Sequence, residues 1–367
     1  MNNPKMARLT LIQYILFIHS IQTASGLLVL PNTVVATAGT DGWISIVLGW
    51  IVTNIVGVLI IFTMNKNPNM NFFDLMIQCF GKWLGKLMIL LYSFYLAFAG
   101  VNTLLKVIDM VKVWIFPSMP SYQIIILLII PFYILARDGI QAIARYNEFV
   151  FLCTLMLPAI LLLSLKSGYY PLHLLPVIKH GWFPVLQGVK EMITPYAGLE
   201  IAYFLYPFLQ KKEKAVTGII IANTLTMLLM LYVTILCFLH FSPEGMHTLI
   251  WPVFYLLKGI RFAFLERFEI IYTSYYLLVF STTFIPYLYF ATYSVTAISK
   301  KIHYNKVLIS FILIIISIFF FLRLNSNQFI YVYEFTDKLN LIFFIIIPIL
   351  LYIYVHISNM HIRRKHQ

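Results

Sequence analysis

Thr194-Pro195-Tyr196-Ala197-Gly198-Leu199-Glu200 sets a proline, a glycine and a carboxylate inside an apolar run, residues 184 to 209, that is otherwise long enough to cross a bilayer. In lipid every backbone N–H and C=O must find a partner within the protein. Helix breakers inside a span therefore mark irregular backbone that is buried in protein or lines a cavity. A second interruption, Thr23-Ala24-Ser25-Gly26 followed by Pro31, lies in the run 9 to 37.

Working outward from these two segments, further runs of the same kind are bounded by charges, Pro/Gly or Asn. They cover 43 to 64, 84 to 113, 121 to 136, 147 to 166, 216 to 241, 269 to 298, 306 to 324 and 330 to 357. The interrupted runs are then the first and sixth of ten, and each opens a set of five. Corresponding broken helices in two halves point to an inverted-repeat transporter with its site at the breaks. The expectation is an all-α integral membrane protein of ten transmembrane helices, a five-plus-five inverted-repeat transporter fold with helices 1 and 6 discontinuous. Residues 1 to 367 form one polytopic domain, repeat one about 9 to 166 and repeat two about 184 to 357. Amphipathic stretches near 69 to 83, 171 to 182 and 249 to 265 read as interfacial helices anchored by Trp83, Trp182 and Trp251.

Composition agrees. Of 367 residues 61% are apolar and 11% charged, against about 25% charged in soluble domains, and the mean hydropathy is +0.88. A soluble enzyme and a disordered chain are both excluded. The net charge of +13 is spread in short knots between apolar runs, which is a topology signal and not a nucleic-acid face. With the N-terminus cytoplasmic, sixteen Lys and Arg fall inside and eight outside, so both termini are expected in the cytoplasm. Thr10 to Leu30 has no convincing cleavage site and is read as a retained span, not a signal peptide. Cys79, Cys153 and Cys237 are far apart with no metal spacing, and no hydrolase, P-loop or dinucleotide motif occurs. No catalysis, cofactor or metal is expected.

A half-helix N-terminus attracts a carboxylate and freed carbonyls attract an ammonium, so the breaks suit an amino acid or similar small solute. Glu200 has two open readings: a cap or salt bridge holding the break, or a group that senses ligand or protons. Thr283 and Tyr287 share one helix face, as a pocket wall needs, although packing by hydroxyls reads equally well. Ala99, Gly100, Asn102 and Thr103 form a small-residue patch in the third span. The candidate ligand set is Ala24, Ser25, Gly26, Ala99, Thr103, Thr194, Ala197, Gly198, Glu200, Thr283 and Tyr287.

Several strings together resemble the B subunits of bacterial spore germinant receptors, a branch of the amino acid–polyamine–organocation transporter superfamily. They are Ser25-Gly26-Leu27-Leu28-Val29-Leu30-Pro31, Asp41-Gly42-Trp43-Ile44, Phe80-Gly81-Lys82-Trp83-Leu84-Gly85, Gly198-Leu199-Glu200, Thr248-Leu249-Ile250-Trp251-Pro252 and Glu266-Arg267-Phe268-Glu269. The resemblance implies a permease-like subunit of the spore inner membrane. It would work beside an A-type membrane subunit and a C-type lipoprotein subunit, and sense a small nutrient, often an amino acid. It also implies a pocket between spans one, three, six and eight, at Ala24, Ser25, Gly26, Ala99, Ala197, Gly198, Thr283 and Tyr287. Relatives often carry a glycine pair in the first break, where this chain has Ala24-Ser25-Gly26. The alternative is a proton-coupled amino-acid or polyamine permease with Glu200 as proton carrier.

Overall fold

The structure is a computed structural model that describes residues 8–24, 26–260, 268–299, 301–321 and 326–365. Ser25, Glu266 and Arg267, all named above, lie outside the described residues. Helices α1 (Leu11–Thr23) and α2 (Leu30–Ala38) flank the first interruption. They are followed by α3 (Gly42–Asn65), α4 (Phe72–Trp114), α5 (Ser121–Asp138), α6 (Ile140–Thr154) and α7 (Met156–Leu161). The second interrupted segment comprises α8 (Trp182–Glu191), α9 (Ile193–Tyr196) and α10 (Ala202–Leu205). The remainder is α11 (Ala215–His240), α12 (Pro243–His247), α13 (Pro252–Lys258), α14 (Phe268–Ile298), α15 (Tyr304–Phe321), α16 (Ser326–Asn340) and α17 (Ile347–Lys365). A π-helical stretch, Leu341–Ile346, joins the last two.

Among the described residues the fold is helical, and seven helical stretches are long and apolar enough to cross a membrane. The outward faces are apolar too: Leu127, Leu152, Leu313 and Ile314 are exposed on α5, α6 and α15. Such surface is tolerable because lipid covers it. The protein is an integral, multi-pass membrane protein.

The two interrupted segments run antiparallel. Leu9, just before α1, pairs with the far end of the second segment through Leu9 N–H to Phe208 O (2.8 Å) and Gln210 N–H to Leu9 O (3.0 Å). At the opposite end α2 packs on α8. Helix α3 lies against the second segment at backbone distance. A Cβ on Gly49 would fall 2.6 Å from Met192 Cβ, and one on Gly57 would fall 2.6 Å from Leu199 Cδ2. Helix α4 turns sharply at Gly81, whose φ of 78° favours glycine although nothing crowds the position. Beyond that turn α4 packs along α14, and Ser93 Oγ donates to Ala291 O at 2.8 Å.

Trp83 is 89% exposed and Trp182 is half exposed, as interfacial anchors would be. Trp251 is only 6% exposed and packs edge-on against Phe254. Its stretch folds back onto α11 and α14 instead of lying on the surface.

Gly49→Leu and Gly57→Leu should each destabilise the protein by about 1–3 kcal/mol through overpacking, whereas Ile51→Leu on the exposed face of α3 should not. Thermal unfolding of the detergent-solubilised protein reads the difference.

Candidate ligand site at the crossed helix breaks

Helix α1 opens with a reciprocal cap, Gln13 N–H to Thr10 Oγ1 (3.2 Å) and Thr10 N–H to Gln13 Oε1 (3.1 Å). It stops at Thr23. Its last carbonyls have lost their helical partners, and α14 supplies replacements. Thr283 Oγ1 lies 3.0 Å from Ile21 O and 3.2 Å from Ser20 O. Tyr276 Oη lies 3.1 Å from Thr23 O and 3.2 Å from Ala24 O. The chain restarts as α2 on a turn in which Val29 and Leu30 N–H both point to Gly26 O.

The second break lies at Ala197, which is extended (φ −60°, ψ 150°), and Gly198, which is left-handed (φ 110°). Gln22 Nε2, from α1, donates to the freed Tyr196 carbonyl at 2.8 Å and to Asn223 Oδ1 at 3.1 Å. Asn223 Nδ2 continues to Thr53 Oγ1 (3.0 Å), and Thr226 Oγ1 is 2.9 Å from Gln22 Oε1. Within the second segment Gly198 N–H donates to Glu200 Oε2 at 2.7 Å. The other carboxyl oxygen lies 2.8 Å from Tyr95 Oη on α4. Glu200 is fully buried, and no cationic side chain among the described residues is within ion-pair distance of it.

The breaks cross in contact. A Cβ on Gly26 would lie 3.1 Å from Pro195 Cα, and one on Gly198 would lie 2.5 Å from Ile21 Cγ2 and 3.5 Å from Tyr287 Oη. Both helices are thus interrupted where they cross in contact, with α4 and α14 on the flanks. Among the described residues no cluster of His, Cys, Asp and Glu could hold a metal ion.

The same architecture occurs in solved transporters. MhsT in complex with L-phenylalanine matches with a TM-score of 0.65 at 16% identity, covering 94% of this chain and 87% of that one. MHP1, a nucleobase-cation-symport-1 family transporter in a closed conformation with bromovinylhydantoin bound, matches with a TM-score of 0.61 at 14% identity, over 93% and 78%. These likenesses show the fold. In sequence, the Spore_permease family model, described as spore germination protein, matches residues 8–330. The chain belongs to the Spore_permease family of spore germination proteins. Similar relatives include spore germination protein YndE of Bacillus subtilis, 29% identical over 80% of this chain and 82% of that protein. Spore germination protein GerQB of Bacillus cereus is 28% identical over 70% of each. Spore germination protein A2 of Bacillus subtilis is 25% identical over 77% and 79%.

In this spore germination protein Gly26, Ala197, Gly198, Glu200, Thr283 and Tyr287 gather around the crossing, and Ala24 is buried at the end of α1 with its carbonyl taken by Tyr276. Ala99 is buried on α4, and Thr103 returns its hydroxyl to Ala99 O at 2.9 Å. Thr194 turns away from the crossing and donates to Asp337 Oδ1 on α16 at 2.6 Å. Gln22, Tyr95, Tyr276 and Asn340 also serve the site and were not singled out from sequence. Gln22 and Asn340 did carry a signal, an amide inside an apolar run. Tyr95 and Tyr276 are two of 24 tyrosines and carried none.

The crossing itself is packed shut. A cavity of about 320 Å³ lies instead on the opposite face of α1, between α6, α11 and α14, with His19, Thr23, Tyr276 and Thr282 among its few polar walls. None of the ten sequence candidates among the described residues lines it.

Thr283→Val should cost about 1–2 kcal/mol, because it takes the side-chain donor from the buried Ile21 carbonyl at the end of α1. Tyr287→Phe should change stability by less than about 0.5 kcal/mol, since that hydroxyl has no hydrogen-bond partner among the described residues. Thermal unfolding of both variants checks the contrast.

Proposed function

We propose that this protein is the nutrient-sensing, permease-like subunit of a spore germinant receptor, and that it is not an enzyme. The observation that carries the reading is the contact between two antiparallel helix breaks, Gly26 on Pro195 and Gly198 on Ile21, flanked by Thr283 and Tyr287. The ligand is a small zwitterion, most simply an amino acid. Its carboxylate and ammonium match the N–H and C=O groups that a parted crossing offers. Family membership and relatives named as spore germination proteins support the role, and the MhsT and MHP1 likenesses support a scaffold built to enclose small molecules.

In this reading the chain forms ten spans in two inverted sets of five, with both termini cytoplasmic, in the spore inner membrane. It sits beside an A-type membrane subunit and a C-type lipoprotein subunit. The closed crossing is the unliganded state. Nutrient binds where Ile21 separates from Gly198, and its preference for that separated state biases the partner subunits. A ligand without differential affinity for the two states would transmit nothing, however tightly it bound.

One observation favours a second reading, a proton-coupled amino-acid or polyamine permease. Glu200 is a buried carboxyl at the break with no cationic partner among the described residues, and such a group suits a proton carrier.

Spores whose sole receptor is this subunit with its operon partners separate the two. A panel of amino acids, nucleosides and sugars is scored for loss of refractility and for uptake of label. The expected outcome is a response to a particular nutrient without accumulation, abolished by Gly198→Trp at unchanged protein level. Accumulation of label without germination, lost in Glu200→Gln, would establish the permease and overturn the sensor.

A further inference from the structure

A line of polar side chains leaves Glu200 and reaches the surface. Tyr95 Oη lies 2.8 Å from Glu200 Oε1 and 3.1 Å from Asn340 Oδ1. Asn340 Nδ2 donates to Thr194 Oγ1 at 3.0 Å, and Thr194 Oγ1 donates to Asp337 Oδ1 at 2.6 Å. Glu200, Tyr95 and Asn340 are buried, whereas Asp337 is exposed. The geometry is held firmly. The Tyr95 ring stacks on Phe343 at 4.7 Å and 5°, and Asn340 immediately precedes the π-helical stretch that carries Phe343. Asn340 and Asp337 both lie beyond the segment matched by the family model.

The hydrogens along this line can be counted. It has four links: Glu200–Tyr95, Tyr95–Asn340, Asn340–Thr194 and Thr194–Asp337. Tyrosine and threonine hydroxyls bring one hydrogen each, and a carboxylate brings none. Thr194 fills the outermost link, the Asn340 amide fills the next, and Tyr95 can fill either of the remaining two but not both. One hydrogen is missing. If Glu200 were ionised, it would take the Tyr95 hydrogen. Two oxygens, Tyr95 Oη and Asn340 Oδ1, would then face each other across 3.1 Å in a buried site with nothing between them.

We infer that Glu200 is a proton-binding site that holds the fourth hydrogen in this closed conformation, as a neutral carboxyl donating to Tyr95 while Tyr95 donates to Asn340. The surroundings favour this placement. The titratable groups facing Glu200 are Tyr92 and Tyr95 from α4 and Tyr287 from α14, none of them cationic. At the other end Asp337 lies in the field of Lys106 on α4, whose ammonium rests 5.3 Å from the Tyr333 ring centroid. Asp337 is exposed to solvent with that cation nearby, whereas Glu200 is buried with none, so the extra proton belongs at the inner end.

Loss of the proton to water has a structural consequence. The bare oxygen pair is relieved when the Asn340 amide turns, so that Nδ2 donates to Tyr95 and Oδ1 faces Thr194. Thr194 then gives its one hydrogen to Asn340 and releases Asp337. Thr194 belongs to α9, directly before the second break, and Asp337 belongs to α16. Deprotonation of Glu200 therefore releases the Thr194–Asp337 bond between the broken helix and α16 and leaves the Thr194–Asn340 bond as their remaining link, and protonation restores the second one.

This inference goes beyond the sensing role and does not depend on it, because it is tested with no nutrient present. Infrared difference spectra are recorded on the purified full-length protein in lipid nanodiscs between about pH 4 and 9. The expected result is a protonated-carboxyl band at neutral pH that Glu200→Gln deletes and Glu200→Asp shifts. Asn340→Leu removes the competitor for the Tyr95 hydrogen and so favours the ionised form. The band should then disappear at a pH lower by about one unit, a change that a purely structural role for Asn340 would not produce. Absence of a Glu200 band at neutral pH overturns the inference, and so does an unchanged midpoint in Asn340→Leu. Should Glu200→Gln not fold, Glu200→Asp and Asn340→Leu decide it.

Discussion

The structure depends on how two interrupted helices satisfy their freed backbone groups without water. Each unpaired carbonyl or N–H in a lipid environment costs several kcal/mol. The protein meets the requirement with side chains, most of them from other helices. Thr283 and Tyr276 serve the end of α1, Gln22 serves Tyr196, and the Glu200 carboxyl serves Gly198. Because Thr283, Tyr276 and Gln22 come from helices other than those whose carbonyls they serve, the breaks bind the bundle together. Remove α14 and α1 has unpaired carbonyls; remove α1 and α9 has one. The same requirement fixes α3, which can lie against the second segment only because Gly49 and Gly57 leave room for Met192 and Leu199.

The interruptions themselves were legible in the sequence, since glycine, proline and small polar residues inside apolar runs have few other uses. Gly198 takes up a left-handed conformation that few residues tolerate, and Gly26 lies against Pro195 where a side chain would crowd it. The hydroxyls around them were much less legible. Thr103, Thr194 and Thr283 all read as pocket polar groups. In the structure the first bonds within its own helix, the second reaches a surface carboxylate, and the third replaces helical hydrogen bonds. Composition cannot separate these roles, because a hydroxyl in a membrane helix serves backbone and ligand equally well. The groups that do satisfy the breaks come from positions distant in the chain: Gln22 with Tyr196, and Tyr95 with Asn340. No local spacing rule announces such pairs. Trp251 shows the converse limit, for a tryptophan at a predicted interface reads as an anchor whether it faces lipid headgroups or folds back onto its own bundle.

The closed crossing and the cavity behind α1 are two consequences of one arrangement. Ile21 faces Gly198, while His19 and Thr23, on the other side of the same helix, face the cavity. Any movement that withdraws Ile21 from Gly198 pushes α1 toward that space, which has little polar lining to resist it. The interior is therefore not equally packed on both sides of α1. In the proposed sensing role, close contact lies where ligand would enter, and room lies where the helix would go. Packed cores switch between discrete arrangements more readily than they deform, and a void of this kind provides the second arrangement.

A sensor and a transporter built on this scaffold differ only in what the second arrangement does. In a transporter it must open a path to the other side; in a sensor it must only change a surface that a partner reads. The proton inferred on Glu200 bears on both. Its carboxyl caps Gly198, at the break where the proposed ligand would bind, and its hydrogen-bonded line ends at the Thr194–Asp337 bond of the broken helix. Ligand and proton thus act on one element, and linkage requires the effect to be mutual. A ligand that prefers the parted crossing weakens proton binding at Glu200 by the same factor by which deprotonation strengthens the ligand. That reciprocity holds whether or not anything crosses the membrane. The buried carboxyl is accordingly compatible with sensing as well as transport, because the state of the break is read through the same four hydrogen bonds in either case.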